Sequence, residues 1–403
     1  MIIKSTLIIL FSCAVFMVPL YAQEALTLKE ILTTAKENNP RMVKARKGID
    51  AAKARLITAK TCPNPEIDFS TGNFQDVLNN LEFGIGQEFD LFGKIGVRET
   101  IAEADISLAN EELAIVWSEI AFEIKSAHYD LLLMEKKKVL AQENLDIFRR
   151  FVDSAQLRYN SGSILLNELT RAKIELSQAE NEYFLSDKEL RASKIRFNLM
   201  VNKPVNFEFT LSDSLVFEQG IFECKQLTQK ALVNNPEVKI KLEFIKRNLK
   251  EIELAQREVF LNPKFGFTGK HEAGVLSIGA GITIGLPLWN QNIGAIKEAE
   301  LTSKQSNLDI EYSKKQIEAA IYEACLEAEY TAKQVGSYRK NIEQSVDVQR
   351  QADLQYKEGK IDFLTFLDSL RTVKSVKFGY YEAVVNYGKI AALIKKLTEP
   401  GLE

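Results

Sequence analysis

The side chains that most often carry catalysis or hold a metal are scarce in this chain. There are two histidines, His128 and His271, and four cysteines, Cys13, Cys62, Cys224 and Cys325. A histidine acid, base or metal site needs partners at set spacings, and no mature-chain Cys-His pair has such a spacing. No GxSxG, HExxH, phosphate-cradling P-loop or dinucleotide-binding glycine pattern occurs. Gly279-Ala280-Gly281 lies within an alternating apolar pattern and not ahead of a helix. The expectation is therefore a chain that is not an enzyme, with no catalytic, cofactor-binding or metal-ligating residues. Both histidines read as structural or merely exposed.

The first 22 residues read as an export signal. Lys4 supplies the positive charge, Leu7 to Val18 is an apolar run too short to span a bilayer, and Leu20-Tyr21-Ala22 suits cleavage before Gln23. Lipid attachment at Cys13 is the weaker alternative, because Phe11 fits a lipidation motif poorly. Export places the mature chain in an oxidising compartment. The three cysteines left are odd in number and widely scattered, which reads as unpaired, mostly packed thiols and not a disulfide framework. A net charge of -3 argues against a nucleic-acid partner. After the signal, no apolar run is long enough for a transmembrane helix.

The elements that position the remaining residues come in two similar series. Asn38-Asn39-Pro40 returns as Asn234-Asn235-Pro236, and Asn64-Pro65 as Asn262-Pro263. Ala155, Leu157, Tyr159, Gly162 and Ile164 return as Ala352, Leu354, Tyr356, Gly359 and Ile361, each 197 residues on with no gap. This order predicts two repeats, 23–210 and 211–403, behind the signal at 1–22. Each repeat should hold a first helix (about 28–60 and 225–260), two short strands, a very long helix, a glycine turn and a shorter return helix.

The helical expectation rests on missing helix breakers. No proline lies between Pro65 and Pro204 or between Pro287 and Pro400, and no glycine between Gly96 and Gly162. Lys94 to Tyr159 is 66 residues, about 100 Å of continuous helix. Leu113, Val116, Trp117, Ile120, Ile124, Ala127, Leu131 and Met134 recur at threes and fours, as packed long helices require. The strands show a different period. Leu81 to Leu91 and Leu276 to Leu286 alternate apolar residues with Glu, Gly, Ser and Thr, and Glu66–Thr71 and Lys264–Lys270 are their expected partners. Strands apolar on one side and small or polar on the other suit a membrane β-barrel, and equally a half-buried soluble sheet; the export signal favours the barrel. Four strands cannot close a barrel, so several chains would have to contribute.

With these features in place, the chain resembles the TolC-like outer-membrane efflux family over about residues 25–398. The likeness is carried by the duplicated Asn-Asn-Pro, by Asp90-Leu91-Phe92-Gly93 and Pro287-Leu288-Trp289-Asn290 after the second strands, and by Tyr159…Gly162 and Tyr356…Gly359 at the turns. The segment from Leu286 to Ala299 is similar to the heavy-metal branch, the CzcC-like components. The resemblance implies a mainly α fold with a small β part. It further implies a homotrimer that joins four transmembrane strands per chain into a twelve-stranded barrel, set on an α-helical barrel of long hairpins that reaches through the periplasm. It also implies a periplasmic adaptor and an inner-membrane pump of the resistance-nodulation-division type as partners, with outer-membrane lipid around the barrel and no cofactor.

The same resemblance assigns roles near the turns. Tyr159, Gly162 and Gly359 belong to the entrance turns. Glu168 and Asp368 match acidic positions that narrow the entrance, and Tyr356 matches a tyrosine that helps hold it closed. Thr365 stands where many relatives carry aspartate. Asp362 is an acidic candidate read from this sequence alone. Threefold symmetry would turn each carboxylate into a ring favouring cations; a solvated helix face is the competing reading of each. Ile164, Leu165, Leu166, Ile361, Phe363 and Leu364 could dock a partner or belong to ordinary helix core. A type I protein-secretion duct and a non-transport envelope scaffold remain alternatives to solute efflux.

Overall fold

The longest uninterrupted stretches of sequence become the longest helices. The computed structural model describes residues 24–71, 80–272 and 274–399; the signal segment and Cys13 lie outside these. In chain order the elements are β1 (Glu24–Leu26), α1 (Leu28–Asn38), α2 (Pro40–Ala59), β2 (Glu66–Thr71), β3 (Asn80–Glu88), α3 (Lys94–Asn160) and α4 (Leu166–Met200). They continue with β4 (Phe209–Leu211), α5 (Cys224–Asn234), α6 (Pro236–Arg257), β5 (Lys264–Glu272), β6 (Val275–Thr283), α7 (Ile293–Lys357) and α8 (Phe363–Thr398). Helix α3 has 67 residues and α7 has 65; at 1.5 Å per residue each is about 100 Å long. No helix among the described residues is long and apolar enough to cross a membrane.

Two expectations need correction. Residues 28–60 and 225–260 are not single helices: each breaks at Asn-Pro. A residue before proline is pushed out of the helical region, and Asn39 and Asn235 are extended, with ψ 128° and 124°. Each asparagine then caps the next helix, its Oδ1 accepting from Arg41 N–H and Glu237 N–H at 2.8 Å. Each also donates from Nδ2 to the end of a return helix: Asn39 to the Met200 carbonyl at 2.8 Å, Asn235 to the Leu397 carbonyl at 3.1 Å. The second correction is at the strand ends. β3 stops at Glu88 and β6 at Thr283, short of the alternation read to Leu91 and Leu286. Asp90 instead leaves the sheet and accepts from Lys94 N–H and Ile95 N–H at 2.9 and 2.6 Å, starting α3.

The four long strands form one antiparallel sheet in the order β2-β3-β5-β6. Its register sorts the sequence alternation onto two faces. One row is Phe69, Phe83, Gly269 and Ile278; the next is Ile67, Ile85, Phe267 and Ala280. The opposite face carries Glu66, Gly86, Gly266 and Gly281 in one row and Asp68, Gly84, Thr268 and Gly279 in another. The apolar face is open: Phe69 is 73% and Ile278 78% exposed. Gly269 has a specific reason on that face, because a Cβ there would run into the Phe83 ring. A short parallel pair, β1 with β4, was not legible in the sequence; it ties the start of the described chain to the segment after α4.

The helices bury the stripe expected of α3. Trp117, Ile120, Ile124 and Leu131 join Ile31, Leu32, Met42, Phe197 and Phe209 in one cluster, with Leu113, Val116, Ala127 and Met134 packed against it. Farther along α3, Leu145, Phe148 and Phe151 meet Leu169 of α4 and Phe363, Phe366, Leu367 and Leu370 of α8.

Candidate functional site

The site forms where the two long helices turn back, about 100 Å along α3 from the sheet. Both turns are built alike. Gly162 N–H donates to the Tyr159 carbonyl and Ser163 N–H to the Arg158 carbonyl; Gly359 N–H donates to Tyr356 and Lys360 N–H to Gln355. These paired bonds satisfy the last carbonyls of a helix, and they need a left-handed residue. Gly162 and Gly359 supply it with φ of 75° and 72°. Tyr159, at the first turn, points outward and is 37% exposed.

The structure brings two of the expected gate residues together. The Tyr356 hydroxyl donates to Glu168 Oε1 at 2.7 Å, joining the end of α7 to the first turn of α4. Tyr356 is 6% exposed. Its ring stacks on Phe366 at 5.2 Å and meets Phe151 at the same distance, and the Arg158 guanidinium lies 5.1 Å from the ring centre. Burial first, and the bond to Glu168 second, push the phenol above its ordinary range, so it stays a donor at neutral pH. Beside it lies a cavity of about 580 Å³ whose lining includes Arg150, Arg158, Arg350 and Lys357.

The other candidates sit apart from that contact. Asp362 is the N-cap of α8, accepting from Thr365 N–H at 2.9 Å and Thr365 Oγ1 at 2.6 Å. Those bonds hold its carboxyl below the usual range. Thr365 is thus engaged locally. Asp368 is exposed on α8. Of the apolar turn residues, Phe363 is buried and Ile164 and Ile361 pack on the core, while Leu165, Leu166 and Leu364 are 78%, 58% and 52% exposed. Sequence reasoning missed Phe151, Arg158 and Phe366. The spacing of Phe151, Ala155 and Arg158 at fours and threes was the available signal. Farther up α3, His128 is 3% exposed, and its Nε2 is 3.1 Å from Asp213 Oδ2. Among the described residues no group of three or more His, Cys, Asp or Glu side chains could hold a metal ion.

Long helical hairpins and a four-stranded sheet with one open apolar face are the architecture expected from the resemblance to TolC-like outer-membrane efflux proteins. Residues 31–202 match the family described as outer membrane efflux protein. The chain is 22% identical over 373 residues, 90% of this chain and 88% of the relative, to the cobalt-zinc-cadmium resistance protein CzcC of Cupriavidus metallidurans. Its fold is similar to that of CusC, with a TM-score of 0.77 at 14% identity over 93% of this chain and 92% of that one. The Campylobacter jejuni CmeC outer membrane channel gives 0.76 at 14% identity over 93% and 86%. The open state of the Neisseria gonorrhoeae MtrE outer membrane channel gives 0.74 at 17% over 92% and 88%.

Proposed function

We propose that this protein is the outer-membrane channel subunit of a tripartite efflux system, passing solutes passively from periplasm to exterior. The observation that carries the reading is the four-stranded sheet. Its outer strands β2 and β6 have unpaired edges among the described residues, and its apolar face is exposed. In lipid an open edge leaves backbone groups without partners, so the sheet must be closed by others. Three chains of four strands give a twelve-stranded barrel, and strands β3, β5 and β6 have the nine residues a tilted membrane strand needs. The two repeats, 23–210 and 211–403, then supply one strand hairpin and one helical hairpin each. The long hairpins continue the barrel into the periplasm, where the turns form the entrance.

Glu168, Tyr356, Asp362 and Asp368 are proposed to line or hold that entrance, with the Tyr356–Glu168 bond favouring the closed form and threefold carboxylate rings favouring cations. Exposed Leu165, Leu166 and Leu364 suit docking by a periplasmic adaptor bound to an inner-membrane pump of the resistance-nodulation-division type. The likeness to CzcC supports heavy-metal cations as cargo, chosen by the pump and passed without a metal site among the described residues.

The test is reconstitution. The purified mature chain should run as a trimer on native gels in detergent and give discrete conductance steps in a planar bilayer. A water-soluble monomer without conductance would sink the channel. A deletion strain should become more sensitive to zinc, cobalt or cadmium; unchanged sensitivity removes the metal cargo and leaves a protein-secretion duct as the channel's role.

A further inference from the structure

Two thiols far apart in sequence line one cavity. Cys325, on α7, is 7% exposed and belongs to a cluster with Ala231, Val238, Ile317 and Ile321. Cys224, the first residue of α5, is half-buried against the same cluster. Both line a cavity of about 310 Å³ as free thiols. The strap leading into α5 is pinned nearby, where Gly220 N–H donates to the Tyr387 hydroxyl of α8 at 2.7 Å. Cys62 is exposed just beyond α2 and takes no part in this cluster.

We propose that Cys224 and Cys325 are joined by a disulfide in the exported protein, stapling the start of α5 to α7. The step needs a disulfide donor, of the dithiol oxidoreductase class found in oxidising compartments. Cys224 is the entry point because it is the more exposed thiol. As its thiolate it attacks the donor disulfide, giving a mixed disulfide and releasing one donor thiol. Cys325 then loses its proton to water and attacks the Cys224 sulfur, and the donor's second sulfur leaves as a thiolate. Two protein thiols give up two protons and two electrons, and the donor takes them up. Burial, with Cys224 adding to it, pushes the Cys325 thiol up to about 12. At neutral pH it is therefore the slow second partner and not the first nucleophile. The bond would close a loop of about 100 residues, a length at which a crosslink restricts the unfolded chain strongly.

The proposal rests on the export part of the reading above, so its test has two arms. Full-length protein taken from membranes is denatured in N-ethylmaleimide without reductant, digested and analysed by mass spectrometry. A linked peptide pair containing Cys224 and Cys325, lighter than its parts by two hydrogen atoms, with Cys62 alkylated, is the expected result. Separately, reduced folded protein in detergent is treated with oxidised glutathione, which should form the same link wherever the protein resides. Both thiols alkylated in either arm, or a link through Cys62 instead, overturns the proposal. Fractionation of the same cells shows whether export itself failed. Cys224→Ser should lower the thermal midpoint by a few degrees without reductant and leave it at the wild-type value with reductant.

Discussion

The hydroxyl of Tyr356 reaches Glu168 across 2.7 Å, although 188 residues separate them in the chain. The bond ties the last turn of one long helix to the first turn of the opposite hairpin, and aromatic packing from Phe151 and Phe366 holds the ring in place. It is the part of the turn region where a polar contact is shielded from water on most sides.

Tyr356→Phe keeps the ring and removes the donor. It should cost about 1.5–3 kcal/mol, the range for a hydrogen bond to a charged group. In planar bilayers it should raise the open fraction of the channel. Glu168→Ala combined with Asp368→Ala should raise conductance and weaken cation preference. Wild-type conductance in both variants would remove the gate roles.

Because the folded phenol holds its proton more tightly than the unfolded one, its contribution to stability is complete below the ordinary tyrosine range. It is lost as pH rises above about 10. Wild type should therefore lose stability more steeply than Tyr356→Phe in that alkaline window, read by thermal melts followed by circular dichroism. Parallel curves for the two proteins would refute the linkage.

His128 is the opposite case. Burial lowers its pKa, outweighing the nearby Asp213 carboxylate, which raises it. The unfolded chain thus takes up the proton first on acidification. The neutral ring's contribution is present above about pH 6.5 and fades as pH falls through the lower folded value. His128→Gln should flatten the acid limb of the stability profile below about pH 6.5. An unchanged acid limb would show that other groups control it.

Asn39 both caps α2 and bonds the end of α4. Asn39→Ala should cost about 1–3 kcal/mol, from a lost cap and an unpaired carbonyl together. Asn39→Asp keeps the capping oxygen and loses only the donor to Met200, so its denaturation midpoint should fall between the two. Equal midpoints for alanine and aspartate would show that the cap contributes nothing.

Neighbouring residues of β6 test the two faces of the sheet with one substitution. Ile278→Glu puts a charge on the open apolar face, and should cost about 1–2 kcal/mol in lipid and reduce trimer yield. Ser277→Glu lies on the other face, paired with Lys270, and should leave trimer yield unchanged. Equal losses would mean that the apolar face does not meet lipid.

The periodicities that create the elements are local, which is why the sequence by itself determined so much. Missing prolines over 66–203 and 288–399 specify the long helices, and the alternation through Leu276, Ile278, Ala280 and Ile282 specifies a two-faced strand. Gly162 and Gly359 mark turns because a left-handed residue is needed there. The tertiary structure alone decided which distant residues meet. The first helix of each series divides at Asn39 and Asn235, and each asparagine is anchored to a return helix some 160 residues away. Glu168 finds Tyr356, Cys224 and Cys325 line one cavity, and β1 pairs with β4, because helices of about 100 Å pack at particular heights. Those heights follow from the summed packing of whole helix faces, and no short stretch of sequence contains that information.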